Sequence, residues 1–405
     1  MSTNSPSLSF NWSIIDQAFV SGGNFLTIFL GAYFLDVSEH AKLSFVLLYI
    51  IALTLLNAAI YFAVTPKAAA DYQSNQEYLG SLVGLHARLS IIIAIIAIFI
   101  LQYTAAMAEW DVSRLESMLI FVCFLSFLNL DFYRRAQYIL GNTKGSGLVS
   151  LKVFIVRICI IFAYQPQSFL EFLVVITISI LVVYITKINW FFEISKFNKA
   201  FVAQHLLLSK WSIANSLMLW VVMHGLVVFT GYYLEGTLMA VLITLRSISN
   251  IFNVLLELLE TYLPMKLIGF KLSQVEGVKL IANVATFGLV ISFLIGGLIY
   301  TYAEELLFMI LGDQYSRYWF LLLYLWIGNT MFFLTRLYGV SFRVLINPIL
   351  ELKATFIGFV VLCFCVVLVD LTELHHVVAI MVASQISMGA AQLIITPFKR
   401  IPKTS

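Results

Sequence analysis

Charge is what this 405-residue sequence has least of: Asp, Glu, Lys and Arg together make up 11% of it, against about a quarter of an ordinary soluble domain. So little polar surface cannot wrap one water-soluble globule of this size. Cysteine is also scarce. Cys123, Cys159, Cys363 and Cys365 all fall in apolar runs and read as buried apolar side chains, not as a disulfide framework or a metal site. There is no Gly-rich loop ending in Lys-Ser/Thr, no HExxH and no nucleophile elbow, which excludes an ATP-driven pump acting alone and leaves no cofactor to expect. Gly141 to Gly147 is glycine-rich, but its spacing is wrong for a phosphate loop and no strand precedes it, so it reads as a turn. Basic residues stand singly between apolar runs, which excludes a nucleic-acid surface. Met1 to Trp12 has no basic residue and does not read as a cleavable signal peptide.

What is present is apolar: 61% of the residues are hydrophobic. A helix crosses the hydrocarbon with about 20 apolar residues, and twelve runs qualify. They lie near 14–35, 42–65, 80–103, 115–133, 146–164, 169–188, 211–233, 237–263, 280–302, 319–338, 354–371 and 376–397. The fold class expected is therefore an all-α polytopic membrane protein. No connection is long enough for an extracytoplasmic catalytic domain, so the chain does not read as an enzyme.

Lysine and arginine are retained on the cytoplasmic side of a membrane. With both termini cytoplasmic, most basic residues from Lys67 to Lys403 fall inside, and only Lys42, Arg114 and Arg317 fall outside. An odd number of spans would reverse that bias partway along. The outer loops are acidic instead, at Asp36, Glu39, Glu109, Asp111, Glu304, Glu305, Asp313, Asp370 and Glu373.

The halves repeat. Trp12-Ser13-Ile14 opens span 1, and Trp211-Ser212-Ile213 opens span 7, 199 residues on. Pro66 and Pro264 close spans 2 and 8, 198 apart, while Arg135 and Lys152 are followed by Arg336 and Lys353 at 201. A common offset near half the chain reads as two parallel six-helix lobes, residues 1–188 and 211–405, with 189–210 as a cytoplasmic linker.

Polar residues inside spans are costly unless they meet a partner or an aqueous cavity. Arg246, Asn250, Asn253, Glu257, Glu260 and Pro264 follow spacings of 4, 3, 4, 3 and 4 in span 8, which keeps them on one helical face. From Arg246 to Glu260 the stripe is ~21 Å long, too long to face lipid. It either holds the bundle together through pairs with neighbouring helices, or lines a cavity with Arg246 as an anion contact, since a guanidinium fork matches phosphate oxygens. In the second case Glu257 and Glu260 become candidates for a coupling cation or proton, Glu260 being near the inner end.

Span 1 carries Asp16, Gln17, Ser21, Asn24 and Gly31 on a second stripe, which reads first as close helix packing. Asp16 is either a helix cap or a third coupling candidate. Arg157 in span 5 is a lone buried cation, a cavity contact or half of a structural pair. Arg88 and Arg134 sit near the inner boundary and read as snorkelling. His224 in span 7 is a possible titrating group, and His375-His376 a solvated loop pair.

Three regions resemble one known family. Asp16-Gln17-Ala18 with Ser21-Gly22-Gly23-Asn24-Phe25-Leu26 is similar to the first helix of bacterial polysaccharide (O-antigen) flippases. Phe132-Tyr133-Arg134-Arg135-Ala136 resembles their fourth and fifth helices. The run from Arg246 through Asn253 to Pro264, with Leu311-Gly312-Asp313-Gln314-Tyr315, resembles later parts of the same family. The resemblance implies the multidrug/oligosaccharidyl-lipid/polysaccharide exporter fold, two six-helix lobes around a central cavity working by alternating access in the bacterial cytoplasmic (inner) membrane. It implies an undecaprenyl-pyrophosphate-linked oligosaccharide as substrate, with membrane lipids, a polymerase and other polysaccharide-assembly proteins as partners. Arg246, Arg157, Asn250 and Asn253 are then the substrate contacts by depth and chemistry.

Other functions make different demands. A cation-coupled multidrug exporter of the same superfamily calls for a cavity of carboxylates and aromatics. A polymerase or glycosyltransferase calls for a substantial outer loop, and a non-transporting scaffold has no need of mid-membrane charge. The topology has a direct check: cysteines introduced at Glu109 and Asp370 label from outside intact cells and one at Gly141 does not, and the reverse pattern overturns it.

Overall fold

The computed structural model describes residues 10–62, 75–107, 110–186, 198–231, 233–234, 236–250, 274–345 and 348–395. Among the described residues there are helices and turns and no strand. The helices in chain order are α1 Phe10–Phe34, α2 Val37–Asn57, α3 Asn75–Met107, α4 Arg114–Ile139, α5 Thr143–Tyr164 and α6 Phe169–Ile185, then α7 Lys199–Trp220, α8 Gly236–Ser249, α9 Gln274–Leu311, α10 Trp319–Leu345, α11 Pro348–Leu368 and α12 Leu374–Ile395. Ten apolar helices are long enough to cross a bilayer, and Phe169–Ile185 and Thr237–Ser249 are shorter apolar helices. Each of the twelve expected spans meets one of them, so the chain is an all-α polytopic membrane protein. The later part of span 8, from 251 on, lies outside the described residues.

Short polar motifs set the helix ends. Asp36 accepts from Glu39 N–H at the start of α2. Ser113 and Glu116 form a reciprocal capping box on α4, and Ser168 caps α6 through Glu171 N–H. Each satisfies backbone donors that lipid would otherwise leave bare. The glycine-rich stretch is the expected turn: Gly141 takes φ 72°, and the Asn142 side chain accepts from Gly145 N–H to start α5. In the loop before α12, Asp370 accepts the Thr372 N–H at 3.0 Å, and that bond holds its carboxyl below the usual carboxylate range.

The chain forms two compact units, Met1–Leu217 and Met218–Ser405. The division falls inside the helix of span 7, beyond the linker read from the sequence. In the first unit α1 packs on α5, and α4 packs on α3, α6, α5 and α2. In the second, α12 packs on α10 and α11, and α10 on α9 and α8. In lipid, apolar contact alone gives helices little reason to associate, so close fit decides. A Cβ on Gly31 would stand 2.8 Å from Leu43 and 3.2 Å from His40, and one on Gly358 would stand 3.0 Å from both the Ser384 carbonyl and Met388. The packing reading of Gly31 is thus what the α1–α2 contact requires.

Large side chains such as Phe293, Val367 and Ile394 are more than four-fifths exposed, as lipid-facing residues are. The same inversion corrects the cysteines. Cys123 is buried, but Cys159 and Cys363 are exposed and Cys365 is intermediate, because an apolar residue in a span has lipid as well as protein to face.

Two interruptions break the regular helices. Ala58–Phe62 continues α2 and Val221–Gly225 continues α7 as π-helical segments. Such segments concentrate at sites of function or movement.

Candidate functional site

The buried charges fall into three groups, separated by how completely each is satisfied. The first lies in the N-terminal unit. Asp131, Arg134, Arg135 and Tyr138 share one face of α4 at i, i+3, i+4 and i+7. Arg134 donates to both oxygens of Asp16 on α1, Nε to Oδ1 at 3.0 Å and Nη2 to Oδ2 at 2.8 Å. Ser150 on α5 donates to Oδ1 at 2.5 Å and Tyr138 to Oδ2 at 2.9 Å. Asp131 accepts from Arg135 Nε at 2.9 and 3.0 Å and from Asn57 Nδ2 at 2.7 Å.

This corrects two expectations. Arg134 is 7% exposed and does not snorkel, because Asp16 offers a paired acceptor closer than the membrane surface. Asp16 caps nothing: it sits inside α1 with four donors on its two oxygens. As a coupling candidate it is held by a guanidinium that any incoming cation would have to displace.

The C-terminal unit carries a related pair. Arg336 on α10 faces Glu351 on α11 at 3.8 Å, both buried. Arg336 and Glu351 stand 201 residues after Arg135 and Ser150, and Asn215 stands 199 after Asp16. Arg135 pairs with Asp131 on its own helix, whereas Arg336 faces an acid on the next helix.

The second group is Arg157 on α5, 4% exposed. Its Nη1 donates to Thr27 Oγ1 at 3.2 Å and its Nε to Ser179 Oγ at 3.4 Å, and the guanidinium lies 5.7 Å from the Phe127 ring centre. Among the described residues no carboxylate pairs with it.

The third is Arg246 on α8, 2% exposed. Its Nε, Nη1 and Nη2 are all buried without a hydrogen-bond partner among the described residues, as are His224 Nδ1 and Gln385 Oε1. His224, in the π-helical segment after α7, is within electrostatic range of Arg246. Further buried polar contacts lie on α8, α10 and α12. Ser249 donates to the Arg246 carbonyl at 2.8 Å, Asn329 on α10 donates to Ser249 Oγ at 2.7 Å, and Gln385 on α12 donates to Met223 Sδ at 3.2 Å. Leaving a buried charge unpaired costs several kcal/mol, which sets Arg246 apart from the other buried arginines among the described residues.

Of the span 8 stripe, Arg246 and the half-buried Asn250 are described, while Asn253, Glu257 and Glu260 lie outside the described residues. Asn329 and Gln385 were missed. Each is an isolated amide in an apolar run, the same signal that singled out Arg246. Among the described residues no group of His, Cys, Asp or Glu has the geometry of a metal site.

No family model matches the chain, and no curated protein does. Solved structures match its fold along nearly its whole length. A MATE structure in complex with MaL6 superposes with a TM-score of 0.70 at 11% identity, covering 99% of this chain and 100% of its own. A Vibrio cholerae MATE transporter gives 0.66 at 12%, covering 95% and 93%. A MOP superfamily transporter from Pyrococcus furiosus, whose binding pocket is described as of reverse polarity, gives 0.65 at 12%, covering 98% and 96%. The chain therefore has the MATE-like fold.

The Asp16–Arg134 pair has a separable test. Removing one partner of a buried pair costs about 3–5 kcal/mol, whereas an apolar replacement of both is nearly neutral. Asp16→Leu is expected to lower the unfolding midpoint of the detergent-purified protein, and Asp16→Leu with Arg134→Met to recover most of the loss. A single variant as stable as the parent contradicts the pairing.

Proposed function

We propose that the chain is a transporter of the cytoplasmic membrane that flips an undecaprenyl-pyrophosphate-linked oligosaccharide outward by alternating access, for surface polysaccharide synthesis. The observation that carries this reading is Arg246, a buried guanidinium with no carboxylate or other acceptor among the described residues. A pyrophosphate supplies acceptor oxygens in the geometry that such a fork matches. Arg157, held by two hydroxyls and an aromatic face and by no acid among the described residues, is the corresponding cation of the N-terminal unit. Asn250 and Asn253 extend the contact on span 8. Coupling falls to Glu257 and Glu260 in preference to Asp16, whose oxygens are already filled. The partners are the lipid-linked oligosaccharide, the surrounding lipids, and a polymerase and other assembly proteins. Both termini are cytoplasmic, and the reading calls for no cofactor and no nucleic acid.

A second reading is a cation-coupled multidrug exporter. The solved structures of like fold support it, since two are described as multidrug-resistance MATE family transporters. Such an exporter calls for carboxylates facing its cargo, whereas the carboxylates Asp16, Asp131 and Glu351 are each paired with arginine. The neighbour with a pocket of reverse polarity is a precedent for a different cargo on the same fold.

Substitution in the native host separates the readings. Arg246→Ala is expected to abolish surface polysaccharide while protein level and membrane insertion stay normal, and Arg246→Lys to retain part of it. Full polysaccharide in Arg246→Ala, or loss of drug resistance with polysaccharide intact, overturns the proposal.

A further inference from the structure

The π-helical segment of α2 is gripped from a distant part of the sequence. His205 Nε2 donates to the Ile60 carbonyl at 2.7 Å, and Ser209 Oγ donates to the same oxygen at 3.2 Å. His205 is 1% exposed and Ser209 is fully buried. They are four residues apart, one turn of α7, so both reach the carbonyl from one face. A side chain inserted into a helix ladder is a known cause of such a break, and here two converge on one carbonyl of the π-helical segment.

The grip is built into a core. Phe201 stacks on His205 with ring centres 5.6 Å apart, and Tyr78 on α3 meets Phe201 edge-on at 5.2 Å. Ile60, Tyr61, Tyr78, Leu79, Phe132, Phe201 and Val202 belong to a single buried cluster. The carbonyl can only accept, so His205 carries a proton on Nε2; its Nδ1 is buried without a partner among the described residues.

We infer that His205 and Ser209 are positioning residues that fasten the first half of α7 to the π-helical segment of α2. Residues 199–217 therefore belong mechanically to the N-terminal unit, although the repeat in the sequence assigns span 7 to the second half. The second π-helical segment, Val221–Gly225, begins four residues after the end of that unit at Leu217. Span 7 thus holds a fastened part and, after it, a break in regular winding, and the joint in the backbone lies within the span.

Hydrogen–deuterium exchange on the full chain in nanodiscs tests this without any ligand. In His205→Ala/Ser209→Ala, amides of residues 58–62 and 199–217 are expected to exchange roughly tenfold faster, the fold-change for loss of about one net hydrogen bond. Residues 279–395 are expected to stay at the parent rate. His205→Gln, whose amide still donates, is expected to restore slow exchange in both segments when Ser209 is kept, whereas His205→Leu is not. Unchanged exchange in 199–217, acceleration that spreads through 279–395, or equal behaviour of the Gln and Leu variants overturns the assignment.

Discussion

A charge inside a bilayer has no water to fall back on, and the rest of this structure depends on how each is answered. The carboxylate of Asp16 receives four donors, and Asp131 receives a guanidinium and an amide. These groups tie α1, α2, α4 and α5 together where apolar contact alone gives little preference for one arrangement. Arg157 is answered in part, by hydroxyls and an aromatic face. Arg246 is left unanswered by every described residue around it. The described partners of the buried charges thus run from four donors on Asp16 to none on Arg246.

The two units answer the same constraint differently. Each buries an arginine, Arg134 on α4 in one and Arg336 on α10 in the other. In the first unit the acid on Arg134 comes from α1, which is thereby tied down by charge. In the second the acid is Glu351 on α11. The start of α7 is fastened instead by His205 and Ser209, through a backbone carbonyl and not through charge.

Much of the fold was legible from residue type alone. Twelve apolar runs, their polar punctuation and the placing of lysine and arginine follow from the cost of moving charge and bare backbone into lipid, and each run met a helix. The partners of the buried charges were less legible. Arg134 reads as a snorkelling cation because nothing local shows that Asp16, on a helix more than a hundred residues earlier, lies opposite it. Arg246 was legible as an unusual residue, but not as one without a partner among the described residues. The π-helical segments had no sequence signal, and the one at Ala58–Phe62 meets side chains from α7, about 145 residues on. Exposed Cys159 and Cys363 were misread because in a membrane apolarity does not separate core from surface.

The central claim, that an anionic lipid-linked sugar is what answers the bare guanidinium, is tested most directly by reconstitution. Purified protein in liposomes is supplied with a fluorescent polyprenyl-pyrophosphate oligosaccharide, and its arrival in the opposite leaflet is followed with an impermeant quencher. The account predicts transfer well above that of protein-free liposomes, with no acceleration for a zwitterionic phospholipid carrying the same dye. Transfer no faster than in empty liposomes, or equal acceleration of both lipids, contradicts it.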